Sequence, residues 1–562
     1  MPRRAAPLAA ALLCSGLCGT LVGCGAAPEP ERTPVDLLLH NANVLVMDAD
    51  GTRASAMAVR GEQIVDVGDE TLLQRYDGAE TRDLGGATVM PGFIDTHIHI
   101  SGTPDRHLDL TDVTSVQALV DRVTAKAKAL GPGEWITGYG WSEDQLEEQR
   151  RPLRSDLDAA APDNPVVLTR AGGHSAVASS QALALAEIDA RTPQPDGGVI
   201  EKDDQGELNG IIRERQDLVT RLVPAATPES LRPSHVANLQ ALFAHGITSI
   251  VQAADTIEHF PEWEHIYQTH RGALPRASVM VAWAGEPAMT AFGRRTGDGD
   301  LHLRVGAIKL FADGGFTGPA AYTREPYRGM GDYHGSLTMP PEALHATLRA
   351  AHRAGWQIGV HAIGDAAIEL AVEGLADVVR ETPREDHRHF LNHFTLLPGT
   401  DTLATMAEFG IAITQQPNFT YTLEGRYVTY LDGDRLETNN ALRTPMNHGI
   451  IVALSSDILP IGPAVGLYAA VTRKGHSGRV FGPDERMSIQ EALRAYTATG
   501  AWLTREEGLK GSLEPSKLAD FIVLDENPLT LPPDALRALR VRETWLGGRQ
   551  VYAAPTPEED PE

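Results

Sequence analysis

Two histidines one residue apart, His97 and His99, are the first residues in the chain whose type and spacing indicate metal chemistry. They lie at the end of an apolar run that starts at Phe93. Side chains alternate across a β-strand, so residues two apart project from one face and both imidazoles can bind the same ion. A His-x-His pair alone is weak evidence, because histidines are also common in cores and on surfaces.

Four further polar residues stand at or just beyond the ends of apolar runs. They are Lys309, His361, His393 and Asp457, and successive members are separated by 52, 32 and 64 residues. One βα unit needs at least about 30 residues. The last spacing therefore corresponds to two units, and residues 411–414 supply the intermediate strand.

Apolar runs of strand length alternate with amphipathic helical stretches through most of the chain. The predicted strands are Gly92–Ile98, Thr248–Val251, Ser278–Ala282, Gly306–Phe311, Gln357–Ala362, Phe390–Phe394, Ile411–Thr414 and Ile451–Leu454. Alternating βα units form a parallel sheet, and eight of them close into a TIM-type barrel whose strands all point their carboxyl ends into one mouth. The sequence therefore predicts an α/β fold, a (β/α)8 barrel, in which all six polar residues meet. A doubly wound open sheet is the alternative.

The remaining segments are predicted to surround this barrel. Residues 101–233 are too many for one connection, and they contain their own helices and a strand-like run at Val166–Thr169, which indicates an insertion over the mouth. Short alternating runs within residues 35–88 and 506–553 predict a small β-sandwich built from both ends of the chain. The barrel with its insertion is predicted to span 89–505, and the acidic, proline-rich residues 554–562 are predicted to be disordered.

The amino terminus indicates export. Arg3 and Arg4 precede an apolar run that ends in Leu21-Val-Gly-Cys24. This arrangement is typical of a signal peptide, and its last four residues resemble a bacterial lipobox. We predict a signal peptide over 1–23, a lipid on Cys24 and a linker over 24–34, which would make the chain a membrane-anchored lipoprotein of the bacterial periplasm or cell surface. A plain signal peptide with an incidental cysteine is the alternative.

Net charge and cysteine positions disfavour some classes of ligand and of metal site. The net charge of -26 disfavours binding to nucleic acid or to anionic lipid headgroups. The three cysteines, Cys14, Cys18 and Cys24, all lie in the leader, so thiolates are not expected among the metal ligands of the exported chain. Oligomeric state and substrate identity do not follow from the sequence.

The polar residues and the motifs around them resemble the amidohydrolase superfamily, and within it amidohydrolase family 3, the branch that includes N-substituted formamide deformylases. The resemblance covers nearly all of the predicted exported chain. The motifs that carry it are Val89-Met-Pro-Gly-Phe-Ile-Asp-Thr-His-Ile-His99, Gly138-Tyr-Gly-Trp141, Gly173-His-Ser175, Gly197-Gly-Val-Ile-Glu201, Lys309-Leu-Phe-Ala-Asp-Gly314, His361-Ala-Ile-Gly-Asp365, Ser456-Asp457 and Lys517-Leu-Ala-Asp520.

The resemblance implies a ligand set. His97, His99 and Asp457 are expected to bind one metal ion, and His361 and His393 a second. Lys309, carboxylated by carbon dioxide, is expected to bridge the two ions.

The charge that a ligand of divalent cations must carry is consistent with a carboxylated Lys309. An ammonium group repels divalent cations, whereas a carbamate is an anionic oxygen ligand. If Lys309 instead stays an amine paired with a carboxylate such as Asp313, the site holds a single metal. Many relatives carry an acidic residue before the fourth histidine, and this chain has Asn392 there, so the support of His393 is expected to differ.

A nitrogen-and-oxygen ligand set suits Zn²⁺, with Mn²⁺ or Fe²⁺ as alternatives. A cation in such a site activates water. The resemblance implies that this water hydrolyses a non-peptide C–N bond in a small-molecule amide, formamide or cyclic amide. Asp457 is the predicted general base and then acid. The resemblance suggests that His174 polarises the substrate carbonyl; the alternative is a loop histidine with a local hydrogen bond.

The same residues allow two other functions. The same activated water attacks an ester or lactone, and a lipid-anchored solute-binding protein is an alternative of another class, although a binder has no need of a metal site of this kind. Aromatic residues at loop ends are candidate pocket residues, with simple packing as the alternative: Tyr139, Trp141, Phe316, Tyr322 and Phe419. Asp313 and Asp365 are predicted to orient loops or ligands.

Overall fold

The computed structural model describes residues 32–143, 145–171 and 173–555. The predicted signal peptide, the predicted acylation site Cys24 and most of the predicted tail lie outside these ranges. Within them, no helix has the length and hydrophobicity that a bilayer span requires.

The described chain begins with short strands. They are β1 (Thr33–His40), β2 (Asn43–Leu45), β3 (Arg53–Ala54), β4 (Ala56–Arg60), β5 (Gln63–Gly68), β6 (Tyr76–Asp83) and β7 (Thr88–Pro91), with helix α1 (Leu72–Arg75) before β6. One sheet has the order β5-β4-β1-β6, in which β4 and β5 form an antiparallel hairpin and β1 pairs with β6 in parallel.

The first barrel strand, β8 (Phe93–Ile98), leads into the insertion. The insertion consists of β9 (His107–Asp109), α2 (Val116–Leu130), β10 (Ile136–Trp141), α3 (Arg154–Ala160), β11 (Val166–Arg170), β12 (Ser175–Ala178), α4 (Ser180–Leu185), β13 (Val199–Lys202), β14 (Leu208–Arg213) and α5 (Asp217–Thr220). Its strands form a sheet of their own, in the order β13-β14-β12-β11-β10-β9. Helix α2 begins where the Ser115 side chain accepts the Ala118 N–H, a common N-cap arrangement.

Strands and helices then alternate along the chain. The elements are α6 (Pro228–Ala241), β15 (Ile247–Asp255), α7 (Phe260–Thr269), β16 (Arg276–Ala282), α8 (Glu286–Phe292), β17 (Leu303–Phe311), α9 (Pro341–Arg353), β18 (Ile358–Ala362), α10 (Asp365–Glu381), β19 (Phe390–His393), α11 (Thr400–Phe409), β20 (Ala412–Gln415), α12 (Asn418–Thr422), α13 (Glu424–Tyr430), α14 (Gly433–Glu437), α15 (Arg443–Asn447), β21 (Val452–Leu454), α16 (Pro463–Thr472), α17 (Ile489–Ala495) and α18 (Ala498–Leu503). Three short 3₁₀ helices in the described chain span Leu242–His245, Pro483–Glu485 and Pro533–Ala538.

Eight parallel strands of the described chain form one nearly closed barrel, in the order β8, β15, β16, β17, β18, β19, β20, β21. The ends meet where Ile98 bridges to Asp457, and the Asp457 N–H donates to the His97 carbonyl at 2.8 Å. Gly92, just before β8, permits the close approach of β15, because a Cβ there would collide with Thr248. The predicted barrel is confirmed, and the open-sheet alternative is wrong because the first and last strands contact each other.

The barrel core lies between the strands and the surrounding helices. Helix α10 contributes Ile368, Ala371, Val372, Leu375 and Val378, whose spacing places them on one helical face. Strands such as β8 and β19 are buried along their whole length, which is why they are continuous apolar runs in the sequence.

Both ends of the chain contribute to one further sheet, as predicted. The last strands are β22 (Phe521–Leu524), β23 (Val541–Leu546) and β24 (Arg549–Ala553), and the sheet order is β24-β23-β22-β7-β2-β3. This sheet is tied to the barrel by a buried ion pair in which Arg276 of β16 donates to both carboxylate oxygens of Asp520. The domain boundaries proposed from the sequence stay predictions.

Candidate metal centre and active site

The mouth of the barrel brings His97, His99 and Asp457 together. β8 supplies both histidines, and Asp457 follows β21. Asp457 Oδ2 lies 3.8 Å from His97 Nε2, and Asp457 Oδ1 lies 3.8 Å from His99 Nε2. One ligand atom from each of the three residues lies within 4.8 Å of the others. This is the spacing of side chains that can hold one metal ion.

His393 and His361 adjoin this group. The His393 ring centroid lies 4.6 Å from that of His97 and 4.5 Å from that of His361. His393 Nδ1 is 4.0 Å from Asp457 Oδ2. Lys309, on the strand next to that of His361, is buried, and its charge acts on the histidines and on Asp457. The structure therefore gathers all the predicted ligands at one end of the barrel.

The ring nitrogens show whether these residues fit a metal. His97 Nε2 and His361 Nε2 are buried without a hydrogen-bond partner among the described residues. His97 Nδ1 lies 2.7 Å from Asn392 Oδ1, and His393 Nδ1 lies 2.8 Å from Gln416 Oε1. An amide oxygen only accepts, so with the amides in this orientation each Nδ1 carries the proton and each Nε2 keeps its lone pair. Unpaired lone pairs among carboxylate and imidazole groups fit a divalent cation such as Zn²⁺.

The comparison with known proteins decides the family. The sequence profile of the amidohydrolase family matches residues 80–552, a range that contains every predicted ligand. The chain belongs to amidohydrolase family 3. The resemblance noted from the motifs is thereby confirmed.

Relatives of the amidohydrolase match along nearly their whole length. The chain is 30% identical over 531 residues to the amidohydrolase YtcJ of Bacillus subtilis strain 168, and the alignment covers 91% of this chain and 98% of that protein. It is 29% identical over 545 residues to the N-substituted formamide deformylase of Arthrobacter pascens, with 92% and 98% covered. The solved structure of an uncharacterized metal-dependent hydrolase from Pyrococcus furiosus superposes with a TM-score of 0.69 at 26% identity, covering 88% of this chain and 100% of that one.

Burial keeps the site histidines of the amidohydrolase uncharged. Burial first, and then the Lys309 cation, lower the pKa of His361 to about 3 and that of His99 to about 4. The pKa values of His97 and His393 fall well below the usual range, mainly because both rings are buried. Neutral imidazole is the form that binds a metal ion.

Two other groups are shifted toward neutral pH. Burial raises the pKa of Asp457 to about 6, and the nearby Lys309 cation limits the rise. Burial lowers the pKa of Lys309 to about 7, and Asp457 limits that fall. At neutral pH Asp457 is therefore mostly ionised, while a large fraction of Lys309 is the free amine.

The backbone is strained at two of the candidate ligands. His393 has φ 76° and Asp457 has φ 59°, and Phe394 follows with φ 53°. Left-handed backbone costs an L-residue roughly 1–2 kcal/mol, and such strain clusters at functional sites. Hydrogen bonds hold both turns, from Asp457 N–H to the His97 carbonyl at 2.8 Å and from Phe394 N–H to the Ala362 carbonyl at 3.1 Å.

Asp95 was not among the residues predicted from the sequence. Its buried carboxylate accepts the backbone N–H groups of Ser456 and His97, each at 3.2 Å, and the Ser456 hydroxyl. Burial raises its pKa to about 7. Asp95 thus ties β8 to the turn that carries Asp457. The available signal was an acidic residue inside a strand that is otherwise buried.

Asp313 braces neighbouring loops. Its oxygens accept N–H groups from Tyr322 at 2.9 Å, Gly364 at 2.8 Å and Ile363 at 3.1 Å. Asp313 Oδ1 also lies 3.7 Å from His361 Nε2. These contacts agree with the predicted orienting role, and the alternative in which Lys309 stays an amine beside a carboxylate stays a prediction. Asp365 likewise accepts the Arg324 N–H at 3.0 Å.

Asn392 supports a different histidine from the one expected. Its side chain contacts His97 rather than His393, which instead contacts Gln416. Side chains alternate along a regular strand, but the left-handed φ of His393 interrupts the alternation. Neighbouring residues 392 and 393 therefore both reach the site, and Gln416 is a site residue that the sequence did not indicate.

His174 lies on the insertion, between β11 and β12. Its ring pairs with Glu214 at 3.0 Å, and 80% of its side chain is exposed. Within the described residues it makes no hydrogen bond, ion pair or ring contact with the metal cluster. Its action on substrate stays a prediction.

Of the five predicted pocket aromatics, one packs on the ring of a candidate ligand and the other four lie elsewhere. Phe419 stacks on the His393 ring with centroids 6.4 Å apart, whereas Trp141 is buried in the core of the insertion. Phe316 packs in a neighbouring aromatic cluster, Tyr322 packs against the barrel core and Tyr139 is exposed. Phe311, not predicted, tilts against the His361 ring at 5.3 Å and is 40% exposed.

Proposed function

We propose that this amidohydrolase cleaves a non-peptide C–N bond in an amide, formamide or cyclic amide. The observation that carries the proposal is the metal-ligand spacing of His97, His99 and Asp457 at the mouth of the barrel, where one ligand atom of each lies within 4.8 Å of the others. The similarity to an N-substituted formamide deformylase along almost the whole of both chains supports this bond type.

The residues that would hold a cation are His97, His99 and Asp457. His361 and His393 would hold a second ion, with Lys309 between the two sites. Bound to these residues, a divalent cation (Zn²⁺ before Mn²⁺ or Fe²⁺) would supply a lowered water pKa, toward about 7, and polarisation of the scissile carbonyl.

Asp457 would move the proton. Its raised pKa, about 6, leaves the carboxylate mostly ionised at neutral pH yet basic enough to accept a proton from the attacking water. Oxygen then bonds to the carbonyl carbon, the C–N bond breaks, and Asp457 returns the proton to the leaving nitrogen. The products of an open-chain amide or formamide are a carboxylic acid and an amine, and a cyclic amide gives a single ring-opened molecule that carries both groups.

Lys309 is proposed to be carboxylated. Its pKa of about 7 leaves free amine at neutral pH, the form that attacks carbon dioxide. The resulting carbamate would turn a buried cation that repels metal into an anionic ligand. His174 is proposed to approach the substrate carbonyl from the insertion.

Metal analysis and a substrate panel test the hydrolase proposal together. Full-length protein is loaded with Zn²⁺, its metal content is measured, and N-substituted formamides, other amides, cyclic amides, esters and lactones are offered. We expect amine release from an amide class, loss of turnover in Asp457→Asn, and normal turnover in the exposed control Asp434→Asn. Turnover of esters or lactones alone would identify the esterase alternative, and tight ligand binding without metal or turnover would favour a solute-binding protein.

We further propose that the chain is exported and anchored through a lipid on Cys24, with no other membrane contact and no nucleic-acid partner. The leader motif and the acidic charge support this proposal. Mass analysis of protein expressed in bacteria tests it: a diacylglycerol adduct is expected in the wild type and should be absent in Cys24→Ala. An unmodified, soluble wild type would contradict the anchor.

A further inference from the structure

Two buried amides, Asn392 and Gln416, contact the innermost histidines of the metal cluster. Asn392 reaches from β19 to His97 on β8, and Gln416 follows β20 and contacts His393 on β19. Neither amide side chain is exposed. Each therefore links the ring of a candidate ligand to a strand other than the one that carries the ligand.

The orientation of each amide decides which ring nitrogen is free. Gln416 Nε2 donates to the Thr414 carbonyl at 3.4 Å and to Ser455 Oγ at 2.9 Å. A carbonyl only accepts, so the amide oxygen is the atom that faces His393. Asn392 Nδ2 has no partner among the described residues, and the contact with His97 is the hydrogen bond that this side chain makes. A reversed amide would donate to Nδ1, move the ring proton to Nε2 and block metal binding.

The side chains that contact Nδ1 of His97 and His393 are neutral amides rather than carboxylates. Buried carboxylates lie close by, but Asp95 accepts N–H groups from Ser456 and His97, and Asp313 accepts N–H groups from the loop after β18. Asp457 Oδ2 is 4.0 Å from His393 Nδ1, beyond hydrogen-bond distance. The rings of His97 and His393 are thus held by neutral oxygens. A carboxylate in the same place would raise the basicity of the ligand.

We propose that Asn392 and Gln416 are positioning residues that fix the tautomer and direction of His97 and His393 and thereby set the affinity for the metal. The inference rests on the proposed function, since it takes these histidines as ligands. Loss of an outer partner of this kind weakens metal binding by roughly 10–100-fold.

Competition for Zn²⁺ with a chromogenic chelator tests the proposal without any substrate. Metal-free full-length wild type is compared with Asn392→Leu, Gln416→Met and Asn392→Asp. The first two variants should bind Zn²⁺ about 10–100-fold more weakly. Asn392→Asp keeps the shape and adds charge, so it should bind at least as tightly as the wild type, even though its metal-free form unfolds more easily because it buries a carboxylate.

Gln415→Met is the matched control. Gln415 is equally buried and adjacent in sequence, but both of its side-chain hydrogen bonds are to the backbone. Its Nε2 donates to the Phe394 carbonyl at 3.1 Å and its Oε1 accepts the Gln416 N–H. We expect its Zn²⁺ affinity to match the wild type while thermal unfolding of its metal-free form shifts as much as that of Gln416→Met. Equal Zn²⁺ affinities in the wild type, Asn392→Leu and Gln416→Met, or an equal loss of affinity in Gln415→Met and Gln416→Met, would overturn the positioning roles alone. A wild type that binds no Zn²⁺ would overturn the proposed function and this inference together.

Discussion

Asp520→Ala should destabilise the amidohydrolase strongly, because it leaves a guanidinium buried without its carboxylate. Arg276 Nε lies 2.6 Å from Asp520 Oδ2, and Arg276 Nη2 lies 2.9 Å from Asp520 Oδ1. The two side chains are only 2% and 4% exposed. Breaking a buried ion pair by removing one partner typically costs about 3–5 kcal/mol.

Neighbouring groups decide where in this range the loss falls. Glu62 lies 3.8 Å from Arg276 and is 41% exposed, so it compensates in part for the missing carboxylate. Asp520 also accepts the Gly547 N–H at 2.8 Å, and that hydrogen bond is lost as well. These effects oppose each other, so we expect a loss near the middle of the range, about 4 kcal/mol.

Urea unfolding followed by circular dichroism measures the loss. Asp112→Ala is the control, since Asp112 makes the same two-point contact with Arg122 at 2.7 and 2.8 Å but on the surface, where water replaces it. The double variant Arg276→Met/Asp520→Leu should recover most of the stability, because the uncompensated charge is gone. Equal unfolding midpoints for Asp520→Ala and Asp112→Ala would refute the reasoning.

Three further predictions follow from the buried polar groups. The free energy of unfolding of the metal-free protein should fall as pH drops from about 6.5 toward 4. Burial lowers the pKa of His387 to about 4 and that of His389 well below its usual value, so both are neutral in the folded chain and protonate in the unfolded chain. A urea-unfolding free energy that does not change over that pH range would contradict this prediction. Ser456→Ala should lower the free energy of unfolding by about 1–3 kcal/mol, because Asp95 loses its hydroxyl donor; an unchanged urea midpoint would argue against that contact. Lys309→Met should reduce the metal content per chain measured by mass spectrometry, and full retention would exclude a bridging role.

The barrel was predictable because its strands are buried on both faces. Such strands are continuous apolar runs in the sequence, and all eight predicted runs overlap observed strands. The candidate ligands were predictable for a related reason: a histidine or aspartate at the end of an apolar run lies at the mouth once the run is a barrel strand. The predicted positions of the strand ends were less accurate. For example, β15 continues to Asp255, four residues beyond its predicted end.

The contacts between strands were not predictable. The hydrogen bond between His97 and Asn392 joins residues 295 positions apart and forms only when the barrel closes. The left-handed backbone at His393 turns that ring into the site, and no local pattern indicates it. The exposure of His174 depends on the sheet order of the insertion, which pattern alone does not determine.

Anomalous X-ray scattering at the zinc edge, from crystals of the Zn²⁺-loaded protein, tests the central claim most directly. We predict a peak about 2.0–2.2 Å from His97 Nε2, His99 Nε2 and an Asp457 oxygen. A fully loaded protein whose peak lies away from these atoms, or one that shows no peak at the barrel mouth, would contradict the account.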